Sequence, residues 1–259
     1  MKLDHYLERA QITIPTSQSD KELYKQISYW SDQIAKLITT IGKEKHSEEV
    51  FILALNTHSI YLGAIRMALS GHRAAAFPLF RTAIESAAYC LVIARNPEAA
   101  ELWKKRHEDK ESNKKHITYF ANVMSTKFKD IIIEDDPSYE RMIFSSYEAS
   151  LDFGAHPNPR AVENDLIRNE AGEIVNYIAV HDTLGPNSAL LHSQLSCLNY
   201  GTVISIILQL VIFSKTPKPY PSLNEIFYPQ MCVNNKLFDD RSGEQFDPTK
   251  RYYTRYPVG

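Results

Sequence analysis

A chain of 259 residues with 44% hydrophobic and 23% charged positions is long enough to bury a substantial core and has the balance of a globular domain. Its formal net charge of −2 excludes a global pull toward nucleic acid or membrane surfaces, leaving only a local basic patch as a route to either. Three widely separated cysteines, Cys90, Cys197 and Cys232, form no CxxC pair, so neither a zinc knuckle nor a disulfide framework is supported.

The opening MKLDHYLERAQ lacks the apolar core of a secretory signal, which predicts a reducing, cytoplasmic setting. Residues 1–18 read as a loosely held arm broken at Pro15. Ser19 and Glu22 form a capping-box pattern, and Leu23, Ile27, Trp30, Ile34, Leu37, Ile38 and Ile41 follow at helical spacing. Gly42 fits a left-handed cap at the end of that helix. Ser47 can cap a second helix to about Leu69, with Ser70-Gly71 as its turn. The next helix follows at once, so the two are expected to be antiparallel neighbours.

That next stretch, Gly71 to Arg95, is apolar almost all round, which places it inside a bundle. Pro78 should kink it or delay its start. It carries Arg81 and Glu85 one turn apart, on a face shared with Ala74, Pro78, Ala88 and Val92, so the pair is expected to be buried. Asn96-Pro97 reads as a stop and a restart, opening a charge-rich helix to about Phe128 with a break near Ser112-Asn113. Six Lys/Arg against four Asp/Glu between Glu101 and Thr118 read first as a solvated face.

Asp136-Pro137 repeats the cap-then-proline device before a helix to Phe153. Two prolines in AHPNPRAV, residues 155–162, fix an extended loop. Residues 165–180 switch to alternation around a turn at 169–172 and predict a β-hairpin. Asn187 or Ser188 then caps a long helix to Phe213. Its run LNYGTVISIILQLVIF is the most apolar in the chain, but Asn199 and Gln209 interrupt it and it falls short of the roughly 20 residues of a membrane span. A buried core helix and no membrane partner are expected. Residues 217–259 hold six prolines interleaved with tyrosines, which predicts an irregular arm without long helices, ordered by its aromatics.

The fold class expected is therefore mainly α: a single bundle of five to six helices over 19–216, one inserted hairpin at about 165–180, an N-terminal arm at 1–18 and an irregular C-terminal arm at 217–259. No GxGxxG, Walker loop, GxSxG, HExxH or EF-hand pattern occurs, and no histidine has a glutamate three residues before it. No cofactor and no metal ligands are assigned.

Three sets of residues can carry chemistry. Arg81 and Glu85 read either as a buried ion pair or as an anion clamp with its orienting base. His156, Asn158 and Arg160 put a titratable ring, an amide and a guanidinium on one rigid loop, where they either bind or cap neighbouring helix ends. Arg66 and His72 have the R-x(4–6)-H spacing in which arginine holds a phosphate and histidine moves protons.

Taken together, HRAAAFPLFRTAIESAAYCLVIARNPEAAELW and FGAHPNPR resemble a group of bacterial helical proteins that pair an R-x3-E helix with a downstream His-Pro-Asn-like turn and are likened to HEPN (higher eukaryote and prokaryote nucleotide-binding) bundles. The resemblance covers residues 47–213. It implies an all-helical bundle, and Arg66 and His72 as the positions a HEPN nuclease would use. Enzyme and non-enzyme readings both stand at this point. The first is a binding or assembly protein, homo-oligomeric, with a polar pocket around Arg81, Glu85 and the His156–Arg160 loop for a small anionic ligand or RNA. The second is a metal-independent ribonuclease or nucleotide-processing enzyme using Arg66 and His72. The third is a small-molecule or metal enzyme using Glu85 and His156.

Overall fold

The computed structural model describes residues 18–44, 46–155, 162–163, 165–178, 180–181, 188–216 and 221–242. Among them the chain is mainly α with one small hairpin. The helices are α1 (Gln18–Lys43), α2 (Glu48–Leu69), α3 (Arg73–Arg95), α4 (Pro97–Lys104), α5 (Lys110–Phe120), α6 (Lys127–Asp135), α7 (Glu140–Ser150), α8 (Ala189–Phe213) and α9 (Leu223–Ser242). The strands β1 (Leu166–Arg168) and β2 (Ile174–Tyr177) pair antiparallel, Leu166 opposite Tyr177.

The core lies where α1, α2 and α3 meet α8. Helix α8 has almost no polar face, and 83% of its most apolar window is buried. Helix α3 buries 67% of its corresponding window and α2 only 33%, although all three are long and apolar enough, by length and composition, to cross a membrane. Two positions on α8 set how closely its neighbours approach. A Cβ on Gly201 would run into the Tyr61 hydroxyl and come within 2.7 Å of the Trp30 Cβ. One position before Leu198, the Cys197 carbonyl accepts the Tyr61 hydroxyl at 2.7 Å. Phe80 of α3 stacks on Tyr200 with ring centroids 4.3 Å apart.

The α2–α3 connection ends as a Schellman turn. The His72 N–H reaches the Met67 carbonyl at 2.8 Å, the Gly71 N–H reaches Ala68, and Gly71 has φ +79°, a conformation that glycine adopts without penalty. Gly42 plays a different part from the expected cap. It lies inside α1, and a Cβ there would meet the Phe51 ring at 2.9 Å, so close approach explains it.

The long helix expected after Asn96 is divided. Asn96 does cap α4 through the Glu98 N–H, but a 3-10 turn at Lys105–His107 and a fresh cap at Asp109 precede α5, and Asn122 in the left-handed region precedes α6. The breaks flank Ser112-Asn113, because Asp109 takes the Ser112 N–H and starts a new helix. Helix α9 departs further from expectation, since it runs for 20 residues through Pro229 inside the segment read as irregular. Tertiary anchoring outweighs the proline here. Leu223 and Phe227 are buried, and Asn234 accepts from Gln26 and from the Trp30 indole at 3.0 Å while donating to Thr202. The cleft left beside Asn234, Asn199 and Met142 has room for about one water. Residues 1–17 of the expected N-terminal arm, and 217–220 and 243–259 of the expected C-terminal arm, lie outside the described residues, and Gln18 already belongs to α1.

Because Gly201 has contacts on two helices at once, Gly201→Ala should lower the unfolding free energy by about 1–3 kcal/mol in urea titrations, as overpacked cores do. An unchanged midpoint would mean that α1 and α2 have slack against α8.

Candidate functional site

Helix α3 carries charge at its start, its middle and its end, and each charge meets a different part of the chain. At the start lie His72 and Arg73. The Arg73 Nε approaches the Asp165 carboxylate at 3.6 Å, with the two side chains only 4% and 2% exposed. Asp165 also takes the His181 Nε2 at 2.8 Å, and the His181 N–H bonds the Gly71 carbonyl at 3.0 Å. The backbone carbonyl of Asp165 accepts the Ile178 N–H, so one residue ties both ends of the hairpin to the α2–α3 turn. Arg73 also lies over the Phe153 ring, 5.5 Å from its centroid.

In the middle lie Arg81 and Glu85. The Arg81 Nε donates to Glu85 Oε1 at 2.9 Å, and the Tyr147 hydroxyl of α7 donates to the same oxygen at 2.8 Å. The guanidinium also sits 5.7 Å from the Tyr147 ring centroid. Burial alone would lower the Arg81 pKa, but the Glu85 carboxylate and Tyr147 more than offset it and raise it. Burial first, then the Glu85 carboxylate, push the Tyr147 phenol up to about 12. Arg81 stays charged and the Tyr147 phenol stays protonated across the neutral range. At the end of α3, Arg95 pairs with Asp135, the last residue of α6, whose side chain is 1% exposed.

The expectation of a buried Arg81–Glu85 pair is corrected in degree. Their side chains are 27% and 31% exposed, so the pair sits at the rim of the bundle with Tyr147 as its cover. The reason lies in its neighbours: Ala74 is exposed and Pro78 half-buried, too small to close that face, while only Ala88 and Val92 are buried as expected.

His156, Asn158 and Arg160 lie outside the described residues. The residues that flank them do not. Gly154 packs so close to α3 that a Cβ would come 2.8 Å from the Ala74 carbonyl and 3.3 Å from Pro78, and Asp165 follows on the far side against Arg73. Both flanks of the loop are thus anchored on the first two turns of α3. Arg66 and His72 have unlike settings. The Arg66 side chain is exposed on the last turn of α2, whereas His72 is buried, its Nδ1 3.1 Å from the Ser70 hydroxyl. Burial lowers the His72 pKa, and its bond at Ser70 only partly offsets that. Among the described residues no group of three or more His, Cys, Asp or Glu is arranged to hold a metal ion.

Asp165, His181, Tyr147 and Asp135 are the partners that the sequence reading missed. A single aspartate before a strand and a single tyrosine in an apolar stripe carry no spacing signal. Only the unanswered charge on α3 pointed toward them.

Comparison of the chain with protein-family models, with curated proteins and with solved structures finds no match. The site is therefore read from its own geometry.

The two ion pairs differ in depth, and their energetics should differ accordingly. Asp165→Ala removes the buried carboxylate that Arg73 approaches and His181 bonds, and should cost about 3–5 kcal/mol. Glu85→Gln keeps an acceptor at the rim and should cost about 1 kcal/mol or less. Urea unfolding of both variants checks this, and equal losses would contradict the assignment of depth.

Proposed function

We propose that the chain is a non-enzymatic binding and assembly module whose ligand site is the rim of α3 around Arg81, Glu85 and Tyr147, with His156, Asn158 and Arg160 as the further contributors that the sequence suggests. The ligand class is a small molecule with an anionic group, or the phosphates of RNA. The observation that carries this reading is the half-open Arg81–Glu85–Tyr147 constellation. Glu85 accepts from both neighbours and fixes the plane of the guanidinium, so an arriving anion meets a donor already oriented. A carboxylate oxygen that already accepts two hydrogen bonds is a poor general base, and a tyrosine held as the phenol is a poor nucleophile, which favours binding over turnover. The anchoring of the loop's flanks on the same helix supports its inclusion.

The ribonuclease reading with Arg66 and His72 draws less support, because one side chain is exposed and the other buried against Ser70. A metal or small-molecule enzyme built on Glu85 and His156 would have to work through Glu85 Oε2, because Oε1 already accepts from Arg81 and Tyr147. Cytoplasmic placement and the bacterial, HEPN-like kinship belong to the same proposal and rest on the sequence features alone.

The test is calorimetric titration of the full chain with inorganic phosphate and, separately, with a short single-stranded RNA, followed by an assay for RNA turnover. Binding should weaken at least about tenfold in Arg81→Gln, the loss of one charge-assisted contact, and less in Glu85→Gln. Absence of binding to either probe contradicts the proposal. RNA cleavage abolished by His72→Ala would replace it with the ribonuclease reading.

A further inference from the structure

Among the described residues, helix α2 leaves an apolar face uncovered. Ile52, Leu55 and Leu62 are 43%, 47% and 46% exposed, and with Glu48, Ser59 and Arg66, also exposed, they form a single stripe at alternating spacings of three and four residues. Next to it on α3, Ala75 is exposed and Leu79 half-buried, the latter reaching across to Gly63. Scattered exposed apolar residues need no explanation, but three aligned on one helix face do.

The order of residues along the stripe says what covers it. It runs charge, apolar, apolar, small, apolar, charge, so that only Leu55 and Ser59 differ when it is read from the other end, and the two end charges are opposite. Glu48 and Arg66 are equidistant from position 57, as are Ile52 and Leu62, and Leu55 and Ser59. We infer that this face binds a second copy of the chain, with the two α2 helices antiparallel about a two-fold axis that crosses the stripe midway between Leu55 and Ser59, on the side of the helix opposite the buried Thr57. In that arrangement Glu48 of each copy meets Arg66 of the other, Ile52 packs on Leu62, and Leu55 enters the space left by Ser59. A parallel pairing would set Glu48 against Glu48 and Arg66 against Arg66, and would align the helix dipoles unfavourably. The neighbouring Glu49 is engaged by Lys104 at 3.7 Å, so Glu48 is the charge that marks the acidic end of the stripe.

The stripe spans about 27 Å along the helix. One helix face buries less than the about 800 Å² per partner of a standard interface, so Ala75 and Leu79 belong to the contact and the dimer dissociates on dilution. The inference supplies a surface for the assembly part of the reading above. The anion site on α3 stands or falls separately, because phosphate titration can be repeated on a monomeric variant.

Sedimentation velocity on the full chain over a range of concentrations tests it. The unaltered chain should pass from monomer to dimer. Leu62→Glu, a change at an exposed position, should stay monomeric with an unaltered helical circular-dichroism spectrum. Glu48→Arg and Arg66→Glu should each weaken the dimer about tenfold, since each sets two like-charged pairs across the axis, and the double reversal should recover it. A chain that is monomeric throughout, or a dimer indifferent to Leu62→Glu, overturns the proposal. So does a double reversal that fails to recover, which contradicts the antiparallel order. Flotation of a monomeric chain with neutral phosphatidylcholine vesicles, lost on Leu62→Glu, would also overturn it and assign the face to lipid.

Discussion

Three arginines on one helix tie the outer parts of this protein to its core. Arg73, Arg81 and Arg95 stand at the start, middle and end of α3, and their partners come from three places: Asp165 at the foot of the hairpin, Glu85 with Tyr147 of α7, and Asp135 at the end of α6. The opposite side of α3 is packed into α2 and α8. The helix is thus apolar where it meets the core and charged where it meets the periphery. An arginine suits the second task because its fixed fork can hold a carboxylate and lie over an aromatic ring together, as Arg73 does over Phe153 and Arg81 does over Tyr147.

The three ties are not equal in kind. At Arg73 both charges are sealed, so the pair contributes specificity of placement more than net stability, and its loss is costly because a buried charge would remain. At Arg81 both charges touch solvent, so the pair costs little to keep and stays reachable by a ligand. This difference in depth separates the sealed pair near the hairpin from the half-open pair at the rim, where the ligand site is proposed. His72, one position from the sealed pair, is built into the α2–α3 turn through its N–H on the Met67 carbonyl and its Nδ1 beside the Ser70 hydroxyl.

The long helices α1 to α3 and α8 were legible in the sequence because each is an apolar-rich run of more than 20 residues, striped in α1 and apolar almost all round in α3 and α8, bounded by turn residues. The hairpin was legible for the same reason, its alternation bounded by a turn with Gly172 at φ +81°. What escaped was set by contacts distant in sequence. Helix α9 forms despite Pro229 because Asn234 is held by Gln26, Trp30 and Thr202, none of which a local reading can connect to it. The segment after Asn96 divides because Asp109 caps more strongly than the apolar stripe binds. At the site, the sequence located the charges on α3 but not what answers them, since Asp165, Tyr147 and Asp135 are single residues with no pattern around them. Depth was misjudged at Arg81 because small neighbours such as Ala74 and Pro78 resemble a buried face in the sequence yet leave the helix open.

Amide hydrogen exchange read by mass spectrometry on Asp165→Asn, Glu85→Gln and Asp135→Asn is the most direct test of the three-tie account. Each variant should speed exchange in one outer segment alone: 166–177 for the first, Glu140–Ser150 for the second and Lys127–Asp135 for the third. Protection along α8 should be unchanged. If the three variants loosen the same amides, or if none loosens its own segment, the arginines of α3 do not hold the periphery in place.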